Sequence, residues 1–155
     1  MRRFEKISQK QWIQDAHSLD YHDIILPRRA TRQSAGYDLF SPQDIELEPG
    51  STIIIPTGVK VYMNPDEVLL INSRSGHGYK FGVRLCNVQG WIDADYVDNE
   101  TNEGHIMLCL VNDGVKTFRI EKHHAIAQAL FTHYLITEDD IPMRDKRRGG
   151  LGSTK

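Results

Sequence analysis

The chain has 155 residues, a length typical of one domain with a hydrophobic core of its own. Its 19 basic and 21 acidic residues nearly balance, which excludes the strongly basic footprint of a nucleic-acid-binding protein. With no long apolar run, and with two widely separated cysteines, Cys86 and Cys109, the sequence predicts a cytoplasmic protein that has neither a membrane span nor a secretory signal. We expect both thiols to be half-buried and reduced.

The N-terminal part of the chain carries the only helical pattern that we find. Between Ser8 and Leu19 the apolar residues recur at helical spacing, Ser8 is a suitable N-cap, and Gln11 follows three residues later. Residues 1–25 are therefore predicted to form an extension with one short helix. That helix either packs on the rest of the domain or offers a docking surface.

The middle of the chain consists of short apolar segments separated by turn-forming residues. Glycine, proline, asparagine and aspartate mark the turns, including Gly76–Gly78 and 102–104. Short strands at this spacing indicate an all-β fold of the sandwich, jelly-roll or barrel type. The last residues, 143–155, are basic and then glycine-rich, so we predict a mobile C-terminal arm. The predicted strands are 51–56, 58–63, 68–72, 83–87, 106–111 and 126–134.

The stretch from Val88 to Val97 combines strong strand formers with two aspartates and reads as part of a strand hairpin. Strand alternation would place Trp91, Asp93 and Asp95 on one face and Tyr96 on the other. Aspartate is a poor strand former, and a carboxylate among apolar neighbours loses solvation. The stretch is thus either a solvated turn or a functional site. A bulge or tight turn between the two aspartates would break the alternation.

Four further segments have the composition of binding loops. Ala35–Phe40 sets a glycine and an acid beside apolar positions, and Ser73–Gly76 offers an arginine, hydroxyls and backbone N–H groups to an anion. Ala125–Gln128 places one amide in an apolar strand, and the two arginines of Arg147–Thr154 could fold over phosphates. Taken singly, these segments could be a turn, a chance loop, a core hydrogen bond and a solvated tail.

In this order, the five segments resemble the motifs of the trimeric deoxyuridine triphosphatases (dUTPases). The resemblance runs from Leu26 to Thr154, and residues 102–106 look like the variants found in Gram-positive bacteria and their phages. It implies a jelly-roll subunit of a homotrimer with three shared active sites. It also implies Mg²⁺-dependent hydrolysis of dUTP to dUMP and pyrophosphate by water attack on the α-phosphorus, which limits uracil in DNA and supplies dUMP for dTMP synthesis. The closest matches are Ala35–Asp38, Arg74–Gly76, Gly90–Tyr96 and Gly149–Thr154.

The resemblance assigns the nucleoside end of the substrate to the Val88–Val97 stretch. Asp93 would be the general base that orients the attacking water, and it would also touch the sugar 3′-hydroxyl. Tyr96 would pack under the deoxyribose and leave no room for a 2′-hydroxyl, whereas Asp95 would be structural. The backbone that reads the uracil edge would comprise Asn87, Gly90, Trp91 and Ile92, closed by Met107.

The phosphate end is assigned in the same way. Phosphates would be held by Arg74, Ser75 and Gly76, with Gln128 at the α-phosphate. Asp38 would steady Mg²⁺ through bound water, as suits a hard ion that keeps its hydration. The arm would close over the site of another subunit, with Arg147 or its neighbour Arg148 on a phosphate. The other arm contacts would be Leu151, Gly152, Ser153 and Thr154.

Two departures from the family pattern stand out. Leu151 occupies a position where most members carry an aromatic residue, so stacking on the uracil is replaced by weaker apolar cover. His123, His124 and Ala125 replace the usual Gly-Asp-Arg before the Ile-Ala-Gln segment that ends at Gln128. Because no third ligand stands at a suitable spacing, we expect the two histidines to be exposed turn residues and not a metal site.

Three other functions would fit parts of the pattern. A dCTP deaminase would share the fold, but it needs a carboxylate that activates water at the base. A phage regulator that captures a repressor protein would use the loop 98–103 and the N-terminal helix as its surface. A structural jelly roll, such as a capsid or sugar-binding module, would explain the strands and leave Asp93, Arg74 and the tail without a role.

Overall fold

In the computed structural model, the described residues are 1–143 and Gly149. Among them, helix α1 is Gln9–Ala16 and helix α2 is Ser75–Phe81, with 3₁₀ turns at Tyr21–Asp23 and Ala94–Tyr96. Neither helix has the length and apolar character needed to cross a membrane. The strands are β1 Arg3–Lys6, β2 Arg28–Arg29, β3 Tyr37–Phe40, β4 Ile45–Leu47, β5 Thr52–Pro56, β6 Val59–Tyr62, β7 Glu67–Ser73, β8 Val83–Leu85, β9 Gly90–Asp93, β10 Met107–Asn112, β11 Phe118–Ile120 and β12 Ala125–His133.

The strands form several antiparallel sheets. The largest has the order β2-β3-β12-β7-β9, a second has the order β5-β10-β8, and the pairs β1-β6 and β11-β4 complete the described set. The sequence predicted an all-β fold, and the structure shows a mainly β one; each of the six predicted strands matches a strand within two residues at either end. The predicted turn at Gly76–Gly78 is wrong, because these residues lie inside α2.

The larger of two hydrophobic core clusters among the described residues is formed by the strands of the sheets. In β10 the side chains alternate between buried and half-buried positions, as expected for a strand that covers a core with one face. Burying an aliphatic side chain of this kind contributes about 1.5–3 kcal/mol. Fully buried members of the core include Ile55, Leu69, Leu110 and Ile126.

The N-terminal helix packs on the domain around Trp12. Ser8 is its N-cap, as predicted, and the Ser8 hydroxyl accepts a hydrogen bond from the Gln11 N–H at 3.1 Å. Trp12 is 1% exposed, and its indole N–H donates to the Leu19 carbonyl at 2.8 Å. The helix predicted between Ser8 and Leu19 was too long, because the observed helix ends at Ala16. Ile13, one of the apolar residues at helical spacing between Ser8 and Leu19, is 59% exposed.

The helix is also tied to the loop that precedes β10. The backbone N–H and the hydroxyl of Ser8 donate to the Glu103 carboxylate at 2.8 and 2.6 Å. The buried His105 ring accepts from the Gly58 N–H through Nε2 at 2.8 Å, so its proton lies on Nδ1 and is donated to Asp15 at 2.6 Å. Burial lowers the pKa of His105 and keeps the ring neutral. The N-terminal extension thus positions residues 103–105.

Candidate active site

The Val88–Val97 stretch is a short strand followed by a tight turn. In β9, Gly90 lies opposite Ile71 of β7, and Asp93 lies opposite Val68. The residues after Asp93 form a 3₁₀ turn, so the predicted shared strand face of Asp93 and Asp95 is wrong, while the tight turn between them is confirmed. The predicted hairpin is also wrong, because β8 pairs with β10 in another sheet and β9 pairs with β7.

The five residues predicted to read the base line one cavity of about 280 Å³, namely Asn87, Gly90, Trp91, Ile92 and Met107. Aliphatic side chains from β5, β7 and β8 form much of the remaining wall, so the cavity suits a flat, weakly polar ring. A Cβ on Gly90 would approach Ile71 to 3.2 Å and press into this wall. The structure adds Cys86 and Cys109 to the lining, which the sequence did not predict.

Tyr96 is held rigidly behind the end of β9. Its side chain is buried, and its hydroxyl donates to the His105 carbonyl at 3.1 Å and accepts from the Asn102 amide at 2.8 Å. The Asn99 amide donates to the Tyr96 carbonyl at 2.8 Å. With three residues per 3₁₀ turn, Tyr96 stands one turn after Asp93. The helix-anchored loop therefore fixes the ring that was predicted to support the sugar.

A second group of predicted residues meets at the far end of β7. Asp38 of β3 lies opposite Gln128 of β12, and the Gln128 amide donates to Asp38 Oδ1 at 3.5 Å. Arg74 Nε is also 3.5 Å from that oxygen. A Cβ on Gly36 would sit 2.3 Å from Gln128 Cδ, so only glycine leaves room for this amide. Gly36 and Asp38 of the Ala-Gly-Tyr-Asp motif therefore share Gln128 as a neighbour.

Arg74 follows β7, which ends at Ser73, and occupies the N-cap position of α2 without a side-chain capping hydrogen bond. Its backbone is extended, and α2 begins at Ser75. The N–H groups of Ser75 and Gly76 lie in the first helical turn, where an α-helix provides no carbonyl to accept them. Together with the Arg74 guanidinium, these two donors can hold an anion.

The two residue groups are far apart within one chain. Gln128 lies opposite Asn72 and Asp93 lies opposite Val68, so they are separated by four residues along β7 and by two strand spacings, on the order of 16 Å. Asn72 and Val68 are an even number of positions apart in β7 and so lie on one face of the sheet. Because directly opposed residues share a face, Gln128 and Asp93 lie on that face as well. Between them on this face stands Trp91, which is 63% exposed.

Other titratable clusters serve the fold. Asp66, Glu67 and His133 come close enough together to be considered as metal ligands. Glu67, however, is buried and accepts hydrogen bonds from the Arg2 guanidinium at 2.6 Å and from Asn64, which hold the pKa of Glu67 at about 2. Because Arg2 and Asn64 already bind the Glu67 carboxylate, we assign Glu67 to a structural ion pair with Arg2 and not to a metal site.

The paired histidines are exposed turn residues, as predicted. His123 adopts a φ of 68° in the turn before β12, and its ring contacts Asp23 at 3.0 Å. His124 is likewise exposed. The predicted arm contacts, Arg147, Leu151, Gly152, Ser153 and Thr154, lie outside the described residues.

The comparisons with known proteins agree with this geometry. A family model described as dUTPase matches residues 22–155. The deoxyuridine 5′-triphosphate nucleotidohydrolase of Lactococcus lactis is 39% identical over 132 residues, covering 84% of this chain and 88% of that protein. The Haemophilus influenzae enzyme of the same name is 37% identical over 138 residues, covering 84% and 87%.

Solved structures show the same fold. The crystal structure of dUTPase from Streptococcus mutans has a TM-score of 0.71 and 35% identity, covering 87% of this chain and 98% of that one. A dUTPase of the Staphylococcus aureus phage phi11 has a TM-score of 0.69 at 20% identity, covering 94% and 98%, and supports the fold alone. Because the family model spans most of the chain and close relatives share its name, the chain belongs to the dUTPase family and is a dUTP diphosphatase.

Proposed function

We propose that this dUTP diphosphatase works as a homotrimer of jelly-roll subunits whose active sites are each assembled from more than one chain. One observation carries the proposal: Asp93 and the group of Asp38, Arg74 and Gln128 are on the order of 16 Å apart in a single subunit. The α-phosphate must meet both at once. If a neighbouring chain supplies Asp38, Arg74 and Gln128, the α-phosphate can contact these residues and Asp93 at the same time.

The exposed apolar surface fits such an assembly. Trp91 and Leu130 stand on the sheet face between the two groups, and both are exposed. Beyond β12, Leu135 is 97% exposed and Ile141 is also open to solvent. Large apolar side chains that are this exposed favour burial against another copy of the chain. In an assembly with closed rotational symmetry, every copy buries the same surface.

Base selection would come from the backbone around the 280 Å³ cavity. Peptide N–H and C=O groups on a strand are fixed in direction, so they distinguish uracil from cytosine by the hydrogen bonds that cytosine leaves unmade. The buried Tyr96 ring lies against the deoxyribose and leaves no space for a 2′-hydroxyl. dUTP is thereby preferred over dCTP and UTP.

The chemical step would be an in-line attack of water on the α-phosphorus. Asp93 accepts the water proton as the P–O bond to the leaving pyrophosphate breaks, and dUMP remains. Arg74, the N–H groups of Ser75 and Gly76, and the Gln128 amide hold the phosphates and offset the charge that develops. The proposed role of the arm, residues 147–154, is to cover the site of another subunit and exclude bulk water.

Magnesium fits the surroundings of Asp38. The carboxylate is buried, and its described partners, Arg74 and Gln128, lie at 3.5 Å, which is long for a hydrogen bond. Such a carboxylate can accept from the water ligands of a hydrated Mg²⁺. When bound, the ion neutralises triphosphate charge and aligns the phosphates.

The cellular role follows from the products. Removal of dUTP limits uracil in DNA, and dUMP is supplied for dTMP synthesis. We place this activity in the cytoplasm and treat residues 1–155 as one domain that includes the N-terminal extension, since Ser8 and Asp15 hold the loop of Tyr96.

Mixing two inactive variants tests the shared site. Asp93→Asn and Arg74→Ala homotrimers should each be nearly inactive, and subunits mixed one to one by unfolding and refolding should recover about a quarter of wild-type sites. A double variant that carries both changes in one chain, mixed with either single variant, is the control and should recover no more than the single variants allow. Absence of recovery in the first mixture, with trimers present, would refute the shared site.

A repressor-binding role is a second proposal. Phage dUTPases such as that of the Staphylococcus bacteriophage 80alpha control transfer of virulence genes. In this chain the exposed Ile13 lies on α1, which the Ser8–Glu103 contacts tie to the loop 98–103. Ile13→Asp should abolish capture of a repressor protein without changing dUTP hydrolysis. Equal capture by both proteins would remove this surface from consideration.

A further inference from the structure

The two cysteines are neighbours across a strand pair, although 23 positions separate them in the sequence. Leu85 of β8 lies opposite Leu110 of β10, so the antiparallel register places Cys86 opposite Cys109. The Cys86 N–H donates to the Cys109 carbonyl at 2.8 Å, and the two Sγ atoms are 2.7 Å apart. The side chains therefore point toward each other.

This position suits a covalent bond between the sulfurs. A hydrogen-bonded antiparallel pair has its Cα atoms about 5.5 Å apart, which lies within the roughly 4.4–6.8 Å range of disulfides. Neither cysteine is fully buried, and both line the 280 Å³ cavity assigned to the base. A small reagent that enters the empty pocket can reach them, whereas bound nucleotide would shield them.

We propose that Cys86 and Cys109 form a redox-modifiable dithiol, which closes to an intrachain disulfide in the base pocket and weakens the binding of dUTP. The effect on dUTP rests on the proposed base site, whereas disulfide formation does not. A low-molecular-weight disulfide such as oxidised glutathione serves as the oxidant.

The exchange proceeds in two balanced steps. The Cys86 thiolate attacks one sulfur of the oxidant and releases one thiol, which leaves a mixed disulfide on Cys86. Cys109 then loses its proton and attacks Cys86 Sγ, forming the internal S–S bond and releasing the second thiol. Overall, two protein thiols lose two protons and two electrons, and one small disulfide becomes two thiols. Burial, and then the contact with Cys86, raise the pKa of Cys109, which disfavours Cys109 as the first attacking thiolate.

The disulfide alters the wall that reads the base. Cys86 directly precedes Asn87, and Cys109 follows Met107 by two positions, so the bond joins two chain segments that line the cavity. Drawing the sulfurs to a bonded distance of about 2.0 Å shifts the start of the base-reading backbone by a fraction of an ångström. Loss of one base hydrogen bond in this way should raise KM for dUTP about fivefold while kcat changes less, since that bond contributes equally to substrate and transition state.

The test uses the whole protein, first reduced and then treated with oxidised glutathione. Intact mass and thiol titration should show loss of two hydrogens and of both thiols within one chain, reversed by dithiothreitol and slowed by saturating dUTP. Cys109→Ser should accumulate a glutathione adduct at Cys86, and Cys86→Ser should react more slowly. The double serine variant should keep the same KM with or without oxidant.

Several results would overturn the proposal. The first is that both thiols remain free in the presence of the oxidant. The second is that the wild type carries a separate glutathione adduct on each cysteine, or a disulfide between two chains. The third is that the internal disulfide forms and leaves KM for dUTP unchanged. Failure of the proposed function would look different. In that case the reduced protein would not select dUTP, and the mass change would still report on the disulfide.

Discussion

Substitution of Gly36 by alanine should remove the proposed contact of Gln128 with a phosphate without touching either the substrate or the fold. The added Cβ would lie 2.3 Å from Gln128 Cδ and 2.4 Å from Cγ, whereas ordinary contacts begin near 3.4 Å. The amide must therefore retreat by roughly 1 Å or more, a displacement large enough to lose a positioned group. Because Gln128 is an exposed, flexible side chain, it can move aside at little cost to stability.

The expected loss follows from the interaction that disappears. A hydrogen bond to a charged phosphate contributes about 1.5–3 kcal/mol, so kcat/KM for dUTP should fall roughly tenfold to 150-fold. Gln128→Ala should cause a similar loss. The double variant should be no worse than Gln128→Ala alone, because both changes remove the same contact.

Steady-state release of pyrophosphate from Mg-dUTP measures these losses, and thermal unfolding checks the fold. Gly78→Ala is the matched control, since its Cβ would meet only the Val83 carbonyl at 3.9 Å and activity should be unchanged. Additive losses in the double variant, or full activity of Gly36→Ala, would refute the reasoning.

Further predictions concern the general base Asp93, the C-terminal arm and two buried titratable groups. Asp93→Asn should lower kcat by several orders of magnitude and leave nucleotide binding intact, as measured by calorimetry with a non-hydrolysable analogue; near-normal turnover would exclude Asp93 as the base. Deletion of 149–155 should preserve thermal unfolding and abolish efficient hydrolysis, and an unaffected kcat would make the tail a passive terminus. The pKa of Glu67 is lowered to about 2, so its contribution to stability is present above about pH 4.5 and is lost as the pH falls toward 2. The gap in Tm between wild type and Glu67→Gln should narrow over that window, and a constant gap would contradict the ion pair. Burial lowers the pKa of His105, so below about pH 6.5 the unfolded chain takes up a proton that the folded chain does not, and stability falls. His105→Gln should flatten this decline in pH-dependent unfolding, and an unchanged slope would assign it elsewhere.

Local patterns were sufficient for much of the fold. Six strands were predicted within two residues because each combines apolar alternation with turn residues on both sides. Helix α2 was missed because Gly76 and Gly78 favour a turn in isolation, whereas the chain after β7 is helical from Ser75. The short strands β4 and β11, three residues each, carry too little periodicity to be recognised.

The candidate site was also predicted only in part from local patterns. The five residues predicted to read the base line one cavity, and Asp38, Arg74 and Gln128 meet as their motifs implied. The sequence predicted an extension before Leu26, but not that Asp15 and His105 would join it to the loop supporting Tyr96. Such a contact joins residues 90 positions apart, and no local pattern encodes it.

By itself, the sequence determined which side chains are available for dUTP chemistry and which segments are strands, since both depend on residue type and near-neighbour spacing. Only the tertiary structure decided that Asp93 and Gln128 share a sheet face yet stand on the order of 16 Å apart. It also brought Cys86 against Cys109 in the base pocket. Both results depend on strand register, and register is set by packing of the whole core between segments distant along the chain.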